Sequence, residues 1–168
     1  MTDAGFADIL AANALYADTF HLGGLSPQAA RGLGVLTCID SRIEPLTMLG
    51  LAPGDAKILR NAGARVTEDA LRSLVLAVHL LGVTRIAVIQ HTRCRMTEAT
   101  NSEIQAEISD RAGVPAHDWN FQAIDDQLGV LTADVDAIRV CPLIPKHVTV
   151  AGMIYNVDTG VLHVEVTR

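Results

Sequence analysis

The amino-acid sequence predicts an α/β fold: a mostly parallel central β-sheet with an antiparallel edge strand, flanked by helices. Three observations carry this. The run "TEDALRSLVLAVHLLG" (67–82) has helical periodicity and leads into the near-continuous apolar run "RIAVIQ" (85–90). Such a run suits a strand covered on both faces, as central parallel strands are. The segment "AKILR" (56–60) precedes the helix, so the order is strand, helix, strand, a right-handed βαβ crossover. The closing stretch "VTVAGMIYNVDTGVLHVEV" instead has two extended runs around "DTG", the pattern of a hairpin that closes a sheet edge.

The elements follow in order. Residues 1–31 form an N-terminal helical arm, with Phe6, Ile9, Leu10, Ala14 and Leu15 at helical spacing and a break near "HLGGLSP". "GVLTC" (34–38) reads as a short buried strand, and "NAGA" after "AKILR" is turn chemistry. In the helix over 67–82, Thr67 can cap and Glu68 and Asp69 suit the positive N-terminal end. Leu71, Leu74, Val75, Val78 and Leu81 form its inward stripe, and Gly82 can close it. "SEIQAEISDRAG" (102–113) predicts a helix with a capping box of Ser102 and Gln105. A further helix is expected over part of 121–131. In the last strand Val161, His163 and Glu165 alternate with Leu162, Val164 and Val166. No repeat or linker interrupts the chain, so residues 1–168 read as one domain.

Composition narrows the function. Hydrophobic residues make up 49% and aromatic residues 4%, so the core is aliphatic. A net charge of −6, from 13 basic and 19 acidic residues, argues against a general nucleic-acid surface. No run approaches the roughly 18 apolar residues of a membrane span. The N-terminus has an early Asp and no basic region, so no secretory signal is expected and a cytoplasmic, reducing location is. Three cysteines, Cys38, Cys94 and Cys141, do not make a disulfide framework. They are core thiols or metal ligands.

Two segments carry the chemistry. "CIDSR" (38–42) follows the strand "GVLT", and "HTRC" (91–94) follows the strand "RIAVIQ". Side chains at the carboxyl ends of neighbouring parallel strands converge in the crevice where open α/β sheets bind ligands. Cys38, His91 and Cys94 would there offer two thiolates and an imidazole, a donor set suited to tetrahedral Zn2+. Three protein ligands leave one position open, which marks a catalytic site. The competing reading is that both cysteines are small buried hydrophobes. Asp40 can reach the fourth position or a water held there, and Arg42 can grip that carboxylate at two points. Zinc lowers the pKa of its water to about 7, and an ionised Asp40 would orient the resulting hydroxide. The plainer alternative for Asp40 and Arg42 is a surface ion pair.

C-x-D-x-R followed about fifty residues later by H-x-x-C resembles the signature of the β-class carbonic anhydrases. "GDAKILRNAGARVTEDALRSL", "IRVCPLIP" and "VAGMIYNVDTGVLHVEV" look like other parts of that family, and the wording is most similar to its small actinobacterial-type branch. The resemblance implies zinc held by Cys38, His91 and Cys94, with Asp40 and Arg42 gating and orienting the fourth ligand. In some members the aspartate itself closes the zinc site. It also implies a homodimer, with pairing of dimers into a tetramer left open, and reversible hydration of CO2 to bicarbonate and a proton. Relatives that hydrolyse carbonyl sulfide or carbon disulfide make that activity an alternative.

One departure stands out. The family usually has Gly after the second cysteine; this chain has Arg95, with Arg93 inside the motif. The family binds a substrate oxygen with the backbone N–H at that place, and Arg95 retains one. A left-handed backbone there would cost a non-Gly residue about 1 to 2 kcal/mol. A guanidinium at the mouth could also narrow the pocket or hold anions, which makes a weak, anion- or partner-binding homologue a further alternative. Arg93 and Arg95 facing solvent is the other reading. Cys141 is expected to be a packed or edge thiol, His79 structural, His163 outward on the last strand, and Trp119 a loop anchor. His21, His117 and His147 lie near turns, and the sequence selects none of them as a proton shuttle.

Overall fold

β3 (Arg85–His91) is buried from its second residue to its last, and the sheet order explains why. A computed structural model describes residues 5–168. After α1 (Ala7–Asp18) come β1 (Leu33–Cys38), the single turn α2 (Pro45–Met48) and β2 (Ala56–Asn61). α3 (Glu68–Leu80), β3, α4 (Asn101–Ala112), α5 (Gln127–Val140), β4 (Thr149–Tyr155) and β5 (Leu162–Thr167) complete the chain. The strands lie in the order β2-β1-β3-β4-β5. The first four are parallel and β5 is antiparallel to β4.

The two faces of the sheet build separate cores. Leu36, Val88 and Val150 pack with Leu74 and Ala77 of α3 and with Leu131, Val135 and Ile138 of α5. Val35, Ala87 and Ile89 face the other way, against Met48, Leu49, Ile58 and Met153. α3 forms as its sequence demands: Thr67 accepts a hydrogen bond from Ala70 N–H, and Leu74 and Ala77 are buried. α5 crosses β4 at Gly152, where a Cβ would meet Leu131 Cγ at 2.9 Å and Val135 Cγ2 at 3.0 Å. Gly152→Val should therefore push α5 outward and lower stability by about 1–3 kcal/mol. Urea unfolding with an unchanged midpoint would show that the helix tolerates the bulk.

Several expectations are corrected. The capping box of α4 pairs Thr100 with Glu103, not Ser102 with Gln105. Thr100 has the extended backbone a cap requires, whereas Ser102 lies inside the first turn. Gln105 instead donates to the carbonyls of His117 and Trp119. The later helix does fall on part of 121–131, starting at Gln127: Gln122 sits at φ 61, outside helical space, and Asp126 caps the start through Gly129 N–H. The arm holds one helix with no buried residue; residues 1–4 lie outside the described residues. In β5 the simple alternation fails. A bulge opposite Gly152 and Met153 shifts the register, so Leu162 and Val166 reach opposite cores while Val164 is left exposed.

Candidate metal centre

β1 ends at Cys38 and β3 at His91, and the two strands run side by side with Thr37 opposite Ile89. Their ends therefore open at the same edge of the sheet. Thr92 prolongs the β3–β4 ladder by donating to the Tyr155 carbonyl at 3.0 Å. Arg93 then turns back through a left-handed conformation, φ 51, and brings Cys94 beside Cys38. The donor atoms of Cys38, His91 and Cys94 all lie within 4.8 Å of one another. All three side chains are buried.

The geometry suits zinc. The two Sγ atoms are 4.0 Å apart, close to the roughly 3.8 Å that tetrahedral bonds of about 2.3 Å require. His91 Nδ1 lies 2.9 Å from the Thr92 carbonyl, which assigns the ring proton to Nδ1 and leaves Nε2 as the free donor. Among the described residues, three buried side-chain polar atoms have no partner: His91 Nε2 and both amide atoms of Gln90, the residue before it. A buried imidazole nitrogen without a partner, facing two thiols, is what a ligand set presents.

Charge distribution within the site follows from these contacts. The contact with Cys94 lowers the Cys38 pKa against the effect of burial, and the Gly63 N–H adds to the lowering. The same contact and burial push Cys94 up. For His91, burial pulls the pKa down, but the neighbouring Cys38, the Thr92 carbonyl and Asp40 together carry the net shift upward. The opposed shifts mean that the two thiols hold a proton between them, and a metal must displace it. Zinc affinity should rise about tenfold per pH unit for each proton released. Competition with a chelator at pH 6, 7 and 8 checks this; a flat profile would contradict a proton held between the thiols.

Asp40 stands at the rim. Arg42 grips it at two points, Nε to Oδ1 at 2.9 Å and Nη2 to Oδ2 at 2.7 Å, and Arg42 N–H adds a third contact at 2.9 Å. These hydrogen bonds hold its carboxyl well below the usual carboxylate range. Asp40 Oδ2 lies 3.8 Å from His91 Nε2, beside the position an ion would fill. Arg42 also donates to the Arg93 carbonyl at 2.9 Å, tying the two motifs together.

Arg95 corrects one expectation. It opens the 3-10 turn Arg95–Thr97 and is not among the described non-glycine residues of positive φ; Arg93 is. The conformational cost therefore falls one position before Cys94. The Arg95 side chain reaches α4, 2.7 Å from Glu107, and Arg93 pairs with Asp158. Both side chains are 59% exposed yet held by carboxylates, rather than free in solvent.

Four residues escaped the sequence reading. Arg60 donates to the carbonyls of Cys38 at 2.8 Å and Asp40 at 2.7 Å, on either side of Ile39. Gly63 N–H points at Cys38 Sγ, 3.3 Å away. Gln127 donates to the His91 carbonyl at 3.0 Å, and Asp134 is a buried carboxylate on α5. Arg60 and Gly63 had a signal, since "RNAG" follows a strand next to β1; Gln127 and Asp134 had none. Among the remaining expectations, His79 lies 2.7 Å from the Leu143 carbonyl, a structural contact. Trp119 is exposed and stacks on Phe121. Cys141 is half-buried and outside the donor cluster, and His163 is exposed. No described helix is long and apolar enough to cross a membrane.

Fold and site together define an α/β protein with a cysteine–histidine–cysteine metal centre at the carboxyl edge of a parallel sheet. The carbonic anhydrase family model matches residues 33–119. β-Carbonic anhydrase 1 of Mycobacterium tuberculosis is 34% identical over 160 residues, 95% of this chain and 96% of that one. The crystal structure of a carbonic anhydrase from Streptococcus mutans superposes with a TM-score of 0.91 at 36% identity, covering 99% of this chain and 100% of that chain. A carbon disulfide hydrolase from an Acidianus species is 35% identical over 154 residues, 77% of this chain and 74% of that one. The chain belongs to the β-carbonic anhydrase family, whose members are zinc enzymes.

Proposed function

We propose that this chain hydrates CO2 reversibly to bicarbonate and a proton, with Cys38, His91 and Cys94 holding the zinc and Asp40 and Arg42 serving the reaction. The observation that carries this is the unpartnered His91 Nε2, buried between two thiols and 3.8 Å from Asp40 Oδ2. Zinc, when bound, supplies the Lewis acidity that ionises water near neutral pH. Asp40, ionised by Arg42, accepts a hydrogen bond from the attacking oxygen and aims its lone pair at the carbon of CO2. Arg42 keeps both Asp40 oxygens occupied, which supports the reading in which Asp40 stays off the metal. The Arg95 backbone N–H steadies a substrate oxygen, while its side chain remains with Glu107. Zinc content and stopped-flow CO2 hydration from pH 6.5 to 9 test the proposal. Stoichiometric zinc with hydration that rises with pH is the expected result; full zinc with no hydration would overturn it.

The carbon disulfide hydrolase relatives sustain a second reading, hydrolysis of carbon disulfide or carbonyl sulfide at the same centre. Sulfide release measured beside CO2 hydration separates the two. The weak-homologue reading rested on Arg95. Because that side chain is drawn away by Glu107, Arg95→Gly should change hydration little; a large gain would revive it.

Residues 1–168 are read as one zinc-binding domain that works as a homodimer. Half or more of the surface of Phe6, Ile9, Leu10, Leu15, Tyr16 and Phe20 on the arm is exposed, an apolar patch that a second copy would cover. A cytoplasmic location suits a centre whose two thiols must stay reduced.

A further inference from the structure

One helix holds the metal centre from behind. Gln127 and Asp134 are seven residues apart on α5, about two turns, and so share a face. Gln127 fastens the end of β3 through the His91 carbonyl. Asp134, 5% exposed, accepts from Arg65 Nε at 2.8 Å and more weakly from Nη2 at 3.4 Å. The same guanidinium donates through Nη1 to the Gln122 carbonyl at 3.1 Å.

Arg65 ends the loop that follows β2. The Asn61 side chain brackets that loop, accepting from Arg65 N–H at 2.8 Å and donating to its carbonyl at 2.7 Å. Between them Gly63 (φ 76) and Ala64 (φ 56) are both left-handed, and for Ala64 that conformation is intrinsically unfavourable. The loop keeps this shape because its ends are tied down. The product of the shape is the Gly63 N–H aimed at Cys38 Sγ. A buried ion pair is weak evidence for stability, since desolvation offsets most of its attraction. What a two-point carboxylate–guanidinium contact supplies is direction.

Resting on the ligand set of the proposed function, we infer that α5 is a positioning element for the metal centre. Asp134, through Arg65, holds the Gly63 N–H against the Cys38 thiolate, and Gln127 holds the backbone of His91. An N–H donated to a ligating sulfur draws electron density from it and makes the ion a stronger Lewis acid, while the fixed ligands slow its escape. None of these α5 side chains touches substrate; they act through the ligands.

The test compares the full-length protein with Asp134→Asn, Arg65→Lys and Gln127→Ala. Ile138→Val, on the same helix but in the apolar core, serves as a stability control. Zinc transfer to a chromophoric chelator and the sulfur-to-cobalt charge-transfer band of the cobalt-substituted protein are read, neither of which depends on turnover. Each brace variant should still bind one metal, release zinc about tenfold or more faster, and shift the band; Ile138→Val should do neither. Unchanged release and spectrum in folded Arg65→Lys and Gln127→Ala would overturn the inference, even if Asp134→Asn fails to fold. Equal changes in Ile138→Val would reduce the brace to general stability. A wild-type protein without stoichiometric metal would instead overturn the ligand set itself.

Discussion

Cys38→Ser should leave the purified protein with a small fraction of its zinc and abolish CO2 hydration with it. A serine hydroxyl is a harder, less acidic donor, and it does not ionise at neutral pH as a thiol facing an ion does. Among the described residues three protein donors converge on the site, so losing one removes a large part of the binding free energy. The fold should survive. The new hydroxyl can accept the Gly63 N–H that now points at Cys38 Sγ, so no polar group is stranded in the core. Metal analysis together with circular dichroism decides it. A full equivalent of zinc in the folded variant would remove Cys38 from the ligand set.

Asp40→Ala should give the opposite pattern: zinc retained and turnover lowered about 10²- to 10⁴-fold, the range associated with positioned proton-transfer groups. Retention follows because both Asp40 oxygens are engaged by Arg42. Arg42 loses its main partner but keeps the Arg93 carbonyl and is 42% exposed, so its charge is not buried alone. The pH dependence has a definite sign. Arg42 depresses the pKa of Asp40, so the stabilisation from this pair is complete above the unfolded carboxylate value of about 4 and fades only as pH falls through the lower folded value. Over pH 6.5 to 9 Asp40 is ionised throughout, and the wild-type rate profile should carry no inflection from it. Unchanged turnover in Asp40→Ala would exclude Asp40 from the mechanism.

These two variants separate holding the metal from using it. The division is visible in the burial pattern: the donor side chains are sealed beneath the strand ends, whereas Asp40 is 19% and Arg42 42% exposed. A ligand set gains from exclusion of water, and an orienting carboxylate has to meet a substrate that arrives through it.

Much of the site was legible because its elements are local. The β1 strand ends at Cys38 and the β3 strand ends at His91, and both ends were marked by apolar runs giving way to polar residues. Parallel pairing of adjacent strands then leaves little freedom in where the two motifs meet. The helix boundaries were less legible for an equally local reason. Both Thr100 and Ser102 can cap, and the choice rests on a backbone conformation that composition does not disclose.

Taken alone, the amino-acid order determined the α/β class and the parallel crossover, through hydrophobic periodicity, and pointed to Cys38, His91, Cys94 and the Asp40–Arg42 pair through two short motifs and the family they resemble. Tertiary structure decided the rest: that Arg93 and not Arg95 carries the left-handed turn, that Glu107 draws the Arg95 side chain aside, that Arg60 and Gln127 bond the carbonyls of Cys38 and His91, that Gly63 N–H faces Cys38 Sγ, and that Asp134 pairs with Arg65. Those contacts join residues far apart in the chain, and their strength depends on distance and burial, quantities that exist only once the sheet and its helices have packed.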